Sequence, residues 1–449
     1  MTPRSFDRSV ALVLTTRLVA LIGAPVTLWL VATRRPLDEQ GFYFIFWNVQ
    51  ALTQLMELGV GGMLVQFASH ESPLISWDVR GRLVGDAAAQ QRIHALLRES
   101  RRWYLRVAAV LLVVGGMAGA WLLQVRGGSI QPAPLMPWLV TIGCTAAYLP
   151  LIPLLCTIEG CGRLLSVQRM RLAQVTLSLM VFWLVLPRWG ALWGVAAFAI
   201  LWLSVAGVWL ARVYPGLLSM ARRALDVPTD VHVGLGRAQW RTGASWLAWW
   251  AAPQALTPIM LVTHGPAAAG VVGMSLAIAT APLTLASSWL SARYPRYGAL
   301  LASGARAELR HLARSATLQA AVVLVVGVAG ATAVISLLGV VAPSLASRAM
   351  SPLGIALLGA GNLGWLLIQA LGSYLRAWRE EPLMEMALAG AIGVTSGTLL
   401  VATRASTIGT IVTYVLLVLC LALPLAVLGF RRHHQGILGA TPSTPLGRP

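Results

Sequence analysis

Apolar residues in this chain recur in long blocks rather than in strict alternation. The blocks run to about twenty residues with almost no charge, and short polar breaks separate them. A helix needs about 20 such residues to cross the hydrocarbon core of a bilayer. The pattern predicts twelve spans, near 10–32, 41–67, 103–125, 135–158, 172–187, 191–213, 242–263, 267–291, 315–340, 351–375, 383–402 and 407–429. Only Pro187-Arg188-Trp189-Gly190 divides the fifth from the sixth. The start, MTPRSFDRSV, puts positive charge before an apolar run as a signal peptide does. That run is too long for the apolar part of a signal peptide, and it reads as an uncleaved first span.

The breaks carry a directional charge. The even-numbered connections hold Arg80, Arg82, Arg92, Arg98, Arg101 and Arg102, then Arg163, Arg169 and Arg171, then Arg212, Arg222, Arg223, Arg237 and Arg241. Arg293, Arg296, Arg306, Arg310 and Arg314 follow, and last Arg376 and Arg379. The odd connections hold only Arg34, Arg35, Arg126, Arg188, Arg348 and Arg404. By the positive-inside rule the even connections and both termini face the cytoplasm. Spans 7–12 repeat the layout of spans 1–6, which predicts two six-helix lobes in parallel orientation. The expected organisation is an N-terminal lobe at 1–213, a cytoplasmic linker at 214–241, a C-terminal lobe at 242–429 and a cytoplasmic tail at 430–449. The fold class is all-α and polytopic. In each lobe the second span leads into an arginine-rich segment, 70–102 and 291–314, readable as an amphipathic surface helix or as a solvated loop.

Composition sharpens this picture. The chain has 449 residues, 57% hydrophobic and 11% charged, against about a quarter charged in ordinary soluble domains. Its net charge of +19 comes from arginine alone, since no lysine is present. Such a balance often marks nucleic-acid binding. Here the arginines sit in short loops between spans, so nucleic acid is not an expected partner. Cys144, Cys156, Cys161 and Cys420 lack CxxC spacing and read as packing residues.

Polar residues at membrane depth are the candidates for function. Glu57 alone of the fifteen acidic residues lies deep in a predicted span. Gln50, Gln54, Glu57 and Gly61 share one helix face, and Tyr43 extends it outward. Glu57 either lines a cavity as a titratable group or pairs with Arg17 of span 1. Arg17 either snorkels to the headgroups or meets an anionic group in a cavity. Span 7 aligns Trp246, Trp250, Gln254 and Thr257, with Trp249 beside them, and Pro253 and Pro258 should kink it. Span 10 aligns Asn362, Trp365, Gln369 and Ser373. Each stripe reads equally as a cavity wall or as hydrogen bonding between helices. His264, at an external turn, reads as solvated. Asp38-Glu39 in the first external loop is the only acidic pair that suggests transferase chemistry, and no second cluster faces it. P-loop and HExxH motifs are absent, so no enzyme activity, cofactor or metal is expected.

Several strings, in order, carry a resemblance. They are Asp38-Glu39-Gln40-Gly41-Phe42-Tyr43-Phe44, Glu57-Leu58-Gly59 and Gln66-Phe67-Ala68-Ser69-His70-Glu71. Then come Glu159-Gly160-Cys161-Gly162-Arg163, Gln239-Trp240-Arg241 with Ser245-Trp246, Tyr294-Pro295-Arg296-Tyr297-Gly298 and Tyr374-Leu375-Arg376-Ala377-Trp378-Arg379. Together they resemble O-antigen-flippase-like polysaccharide transporters of the multidrug/oligosaccharidyl-lipid/polysaccharide exporter superfamily. The resemblance implies two six-helix lobes around a central cavity, alternating access, and a bacterial cytoplasmic membrane. It implies a cargo of oligosaccharide on a polyprenyl pyrophosphate. The expected partners are that lipid-linked oligosaccharide, membrane lipids, a coupling proton or sodium ion, and polysaccharide assembly proteins. The expected lining is Arg17, Gln50, Gln54, Glu57, Trp246, Trp250, Gln254, Asn362 and Gln369. The alternatives are a multidrug or small-cation antiporter on the same fold and a membrane glycosyltransferase or polymerase.

Overall fold

The structure is a computed structural model and describes residues 3–56, 61–126, 134–226, 235–291, 293–376 and 383–439. Helix dominates throughout, because a backbone in hydrocarbon must satisfy its hydrogen bonds within its own segment. This is an all-α polytopic membrane protein. The expected spans fall largely on helix, and residues 57–60 of the second lie outside the described residues. Among the described residues nine helices are long and apolar enough to cross a membrane. One of these, Leu135–Trp189, runs 55 residues and is long enough for two crossings. Cys161 and Gly162 break it, with φ of −81° and +83°.

The chain divides into two compact units. The first comprises Met1–Gly243 and Gly265–Gly270. It begins with α1 (Pro3–Arg34), α2 (Leu37–Met56) and α3 (Gly62–Glu71), followed by strands β1 (Ile75–Trp77) and β2 (Leu83–Gly85). Helix α4 (Ala87–Val110) continues through a π turn into α5 (Gly116–Arg126). Then come α6 (Leu135–Tyr148), α7 (Ile152–Ile158), α8 (Leu164–Trp189), α9 (Ala191–Val213) and α10 (Pro215–Asp226). The second unit comprises Ala244–His264 and Val271–Pro449. Its helices are most of α11 (Leu235–Gln254), α12 (Leu256–His264), most of α13 (Pro266–Ser291) and α14 (Tyr294–Ala302). They continue with α15 (Arg306–Val341), α16 (Pro343–Ala346), α17 (Pro352–Arg376), α18 (Met384–Ala402), α19 (Thr407–Leu417) and α20 (Leu423–Gly439).

Local chemistry sets the boundaries. Asp86 caps α4 by accepting from Ala89 N at 2.8 Å, and Ser406 caps α19 by accepting from Gly409 N at 3.2 Å. Proline opens α10, α13, α16 and α17, where its missing N–H costs nothing. Gly190, at φ +98°, makes the turn between α8 and α9. Pro253 and Pro258 flank a break at Ala255 between α11 and α12, as expected of two lost donors. On α15, Leu318, Val322, Val325, Val326, Leu337 and Val340 are exposed, as a lipid-facing helix requires.

Four expectations are corrected. Beside the helices of this all-α protein stands one small two-stranded antiparallel sheet, in which Ile75, Ser76 and Trp77 face Gly85, Val84 and Leu83. It forms in the 70–102 segment, where the sequence suggests helix or loop. Ser76 and Trp77 are followed by a tight Asp-Val-Arg-Gly turn that favours a hairpin over a helix. The fifth span starts earlier than expected, at Leu164, because a glycine turn replaces a polar loop. Asp38 and Glu39 lie not in a loop but in the first turn of α2. His264 is not simply solvated, since its Nε2 donates to the carbonyl of Ala405 at 2.8 Å.

Candidate functional site

The polar chemistry of the first unit begins on α2. Tyr43, Trp47 and Gln50 fall on one face of that helix. Their aromatic rings start a chain that runs into the neighbouring helices. Tyr43 meets Phe182 of α8 with ring centroids 5.9 Å apart and stacks on Trp47 at 6.0 Å. Trp47 meets Phe198 of α9 edge-on at 5.0 Å. Phe198 stacks on Trp202 at 5.4 Å, and Trp202 meets Tyr148 of α6 at 6.2 Å. Such pairs add about 0.5–1.5 kcal/mol each beyond burial. Trp47 is half-buried, and the other rings are buried.

Amides and hydroxyls line this chain. Gln50 is buried, and its Oε1 accepts from Thr145 Oγ1 at 3.1 Å, which ties α2 to α6. Gln174 of α8 donates from Nε2 to the carbonyl of Trp202 at 2.6 Å. Its Oε1, the hydroxyl of Ser178 one turn later and the indole N–H of Trp202 are buried without a protein partner among the described residues. A group left so costs on the order of 1–3 kcal/mol. These three atoms therefore hold hydrogen-bonding capacity that the described residues do not use. Gln174 and Ser178 are not among the residues the sequence reading selects. The signal exists there as an amide and a hydroxyl four residues apart inside an apolar run.

The remaining candidates of this unit are scattered. Arg17 is exposed on α1, beside exposed Leu18 and Leu21. Gln54 lies on α2, but its side chain is outside the described residues, as is Glu57 altogether. Glu39 is buried at the opposite end of α2. It accepts from the backbone N–H of Ala191, the first residue of α9, and pairs with Arg35 at 3.8 Å. Arg35 also donates to the carbonyl of Leu186. A carboxylate at a helix N-terminus opposes the positive end of the helix dipole. This cluster is a joint between α1, α2, α8 and α9.

In the second unit the α17 stripe is spent on helix contacts. Asn362 donates to the carbonyl of Ala279 on α13 at 2.8 Å. Trp365 donates to Tyr414 Oη on α19 at 2.8 Å. Gln369 accepts from Ser287 of α13 at 2.7 Å, and Ser373 donates to Tyr294 Oη of α14 at 2.6 Å. Asn362 is buried, whereas Gln369 is half-buried. Trp249 packs edge-on against Trp365 at 5.5 Å. Trp250 and Gln254 are half-buried on α11, and the side chain of Trp246 lies outside the described residues.

Glu71 accepts two hydrogen bonds from Arg92, both at 2.7 Å, and Glu159 pairs with Arg171 at 3.4 Å. On the arginine-rich side of the second unit, burial pushes the Tyr297 phenol above its ordinary range. Among the described residues no cluster of His, Cys, Asp or Glu could hold a metal.

Solved structures share this arrangement of helices. One is an inward-facing multidrug resistance MATE family transporter of the MOP superfamily, 14% identical, with a TM-score of 0.62 over 95% of this chain and 96% of that one. Another is the eukaryotic MATE transporter AtDTX14, 12% identical, with a TM-score of 0.61 over 97% and 99% of the two chains. A third is an outward-facing multidrug resistance MATE family transporter of the MOP superfamily, 13% identical, with a TM-score of 0.55 over 97% and 96%. At such identities the likeness is one of fold. No protein-family model and no curated protein matches the sequence.

Proposed function

We propose that this chain is a secondary transporter that works by alternating access. What carries the reading is the helix order, shared along nearly the whole length with transporters held in both outward-facing and inward-facing states. The cargo class it favours is that of multidrug or small-cation antiporters, namely amphipathic organic molecules with flat rings. The uncharged polar atoms of Gln50, Gln174 and Ser178 beside the rings of Trp47 and Trp202 suit such molecules. Aromatic faces supply area and the amides supply orientation. Within the second unit Trp246, Trp250, Gln254, Asn362 and Gln369 are proposed to contact cargo, and within the first unit Arg17, Gln54 and Glu57 are proposed to do so.

A second reading is a flippase for oligosaccharide on polyprenyl pyrophosphate in the bacterial cytoplasmic membrane. A specific observation favours it: a net charge of +19 carried by arginine alone. That balance suits an anionic head better than a cation. In this reading polysaccharide assembly proteins are its neighbours.

Reconstitution into proteoliposomes separates the two. Export of a fluorescent aromatic cation on a proton or sodium gradient supports the antiporter. Protein-dependent access of an external reagent to labelled polyprenyl-linked sugar supports the flippase. Folded protein that does neither refutes transport of both classes. Glu57 is proposed as the coupling group, and Glu57→Gln then removes the pH dependence of transport while leaving binding of cargo.

A further inference from the structure

The β1–β2 hairpin is built as a surface, and its residues are not those of the cargo path. Its turn consumes its own acid. Asp78 Oδ1 accepts from the backbone N–H of Arg80 at 2.8 Å and of Arg82 at 2.7 Å. The next acid, Asp86, is spent on capping α4. The guanidinium groups of Arg80 and Arg82 are exposed and make no ion pair among the described residues. The turn therefore presents two arginine side chains that Asp78, turned toward the backbone, does not pair.

The hairpin has an inner and an outer face. Ile75, Trp77 and Leu83 point inward, where Trp77 Nε1 donates to the carbonyl of Cys161 at 3.0 Å and its ring meets Tyr214 at 5.1 Å. Leu74, Val79 and Val84 point outward, and Val79 at the tip is as exposed as in an extended chain, at 104%. Tip carbonyls also hold α10. Gly216 N donates to Arg80 O at 3.0 Å and Leu217 N to Gly81 O at 2.9 Å. The hairpin is thus fixed to the start of α10 by bonds that leave the arginine side chains free to act.

Its position supplies the partner. Gly81 packs directly on Tyr214, at the end of α9, so the tip lies where a membrane-spanning helix leaves the bilayer. Val208 and Val213 on that helix are exposed as lipid-facing residues are, and Arg212 lies between them in the last turn. An exposed valine next to an arginine, near the end of a helix that exposes Val208 and Val213, has the chemistry of the headgroup layer. The apolar side chain sits at the acyl boundary, and guanidinium groups bind phosphate oxygens.

We propose that the 74–84 hairpin is a docking surface for anionic phospholipid of the leaflet on the arginine-rich side. Arg80 and Arg82 bind the headgroup phosphate, and Val79 rests in the interface. Because the same tip carries the bonds to α10, an occupying lipid also steadies that helix.

The test uses full-length protein in nanodiscs of phosphatidylcholine, with or without phosphatidylglycerol. Arg80→Gln/Arg82→Gln keeps the backbone N–H groups that Asp78 binds, so its unfolding midpoint in phosphatidylcholine should equal that of the wild type. Phosphatidylglycerol retained on the detergent-extracted protein, counted by native mass spectrometry, should fall about 30-fold in affinity, at about fivefold per arginine. Arg296→Gln, an exposed arginine of the second unit, should leave it unchanged. Amide exchange over 74–85 should slow in phosphatidylglycerol discs and not in phosphatidylcholine discs. Equal losses in both variants would mean diffuse charge attraction and overturn the proposal. Equal protection by inorganic phosphate in phosphatidylcholine discs would overturn it in favour of a phosphate site. Unchanged exchange in every lipid would assign the face to a soluble partner and overturn it as well.

Discussion

Two glycine-to-alanine changes, both within helices, should have opposite signs. At Gly41 of α2, an added Cβ would press into the carbonyl oxygen of Pro266 and lie 3.1 Å from that carbonyl carbon and 3.2 Å from Gly270 N. All of these are backbone atoms of the first turn of α13, so no side chain can rotate away. From the other side, a Cβ at Gly270 would lie 2.6 Å from Leu37 O. The two glycines let the helices touch, and Gln40 Nε2 bonds the Gly270 carbonyl across the crossing at 2.8 Å. Overpacking costs about 1–3 kcal/mol and a strained hydrogen bond about 1 more. Better helix propensity returns about 1 kcal/mol. Gly41→Ala should therefore lose about 2 kcal/mol. At Gly143 of α6 no atom lies within 4 Å of the added Cβ. Gly143→Ala should instead gain about 0.5–1 kcal/mol. Thermal unfolding in detergent, followed by loss of the monodisperse peak on size exclusion, reads the difference as several degrees between the two variants. Gly270→Ala should behave as Gly41→Ala does, and the double variant should lose less than the sum, because one separation of the helices relieves both. A Gly41→Ala protein as stable as Gly143→Ala would refute the close crossing.

Further expectations test the other clusters. Glu39→Ala removes the acceptor for Ala191 N and the partner of Arg35, and should cost about 1–3 kcal/mol in the same unfolding assay; undiminished stability with lost activity would instead restore a catalytic role for this acid. Trp365→Phe and Tyr414→Phe each break one bond between α17 and α19, and a double-mutant cycle should return a coupling of about 1 kcal/mol; a value near zero would mean the hydroxyl and indole do not meet. Ser178→Ala removes a buried hydroxyl without a protein partner and should stabilise by about 1 kcal/mol while lowering transport in proteoliposomes; unchanged transport would make Ser178 a packing residue only.

Much of the architecture is written in the order of residues. Apolar blocks of about twenty, with Pro and Gly at their ends, are enough to read an all-α polytopic membrane protein, because hydrocarbon admits helices and little else. The polar stripe of α17 is equally visible, with Asn362, Trp365, Gln369 and Ser373 on one face. Its partners are not visible, since they come from α13, α14 and α19, up to 83 residues away. Periodicity tells which face must be buried and is silent about what buries it. The same limit hides the 75–85 hairpin, where three-residue strands are too short for alternation to register. It hides Glu39 too, whose position beside Asp38 suggests a loop acid, while its contacts at residues 35 and 191 make it a joint. Local sequence thus determines which segments enter the membrane. Which polar atoms are spent on packing, and which, like Gln174 Oε1 and Ser178 Oγ, are left over for something else, is decided only when distant helices meet. Hydrogen bonds form between neighbours in space, and in a helical bundle those neighbours are remote in sequence.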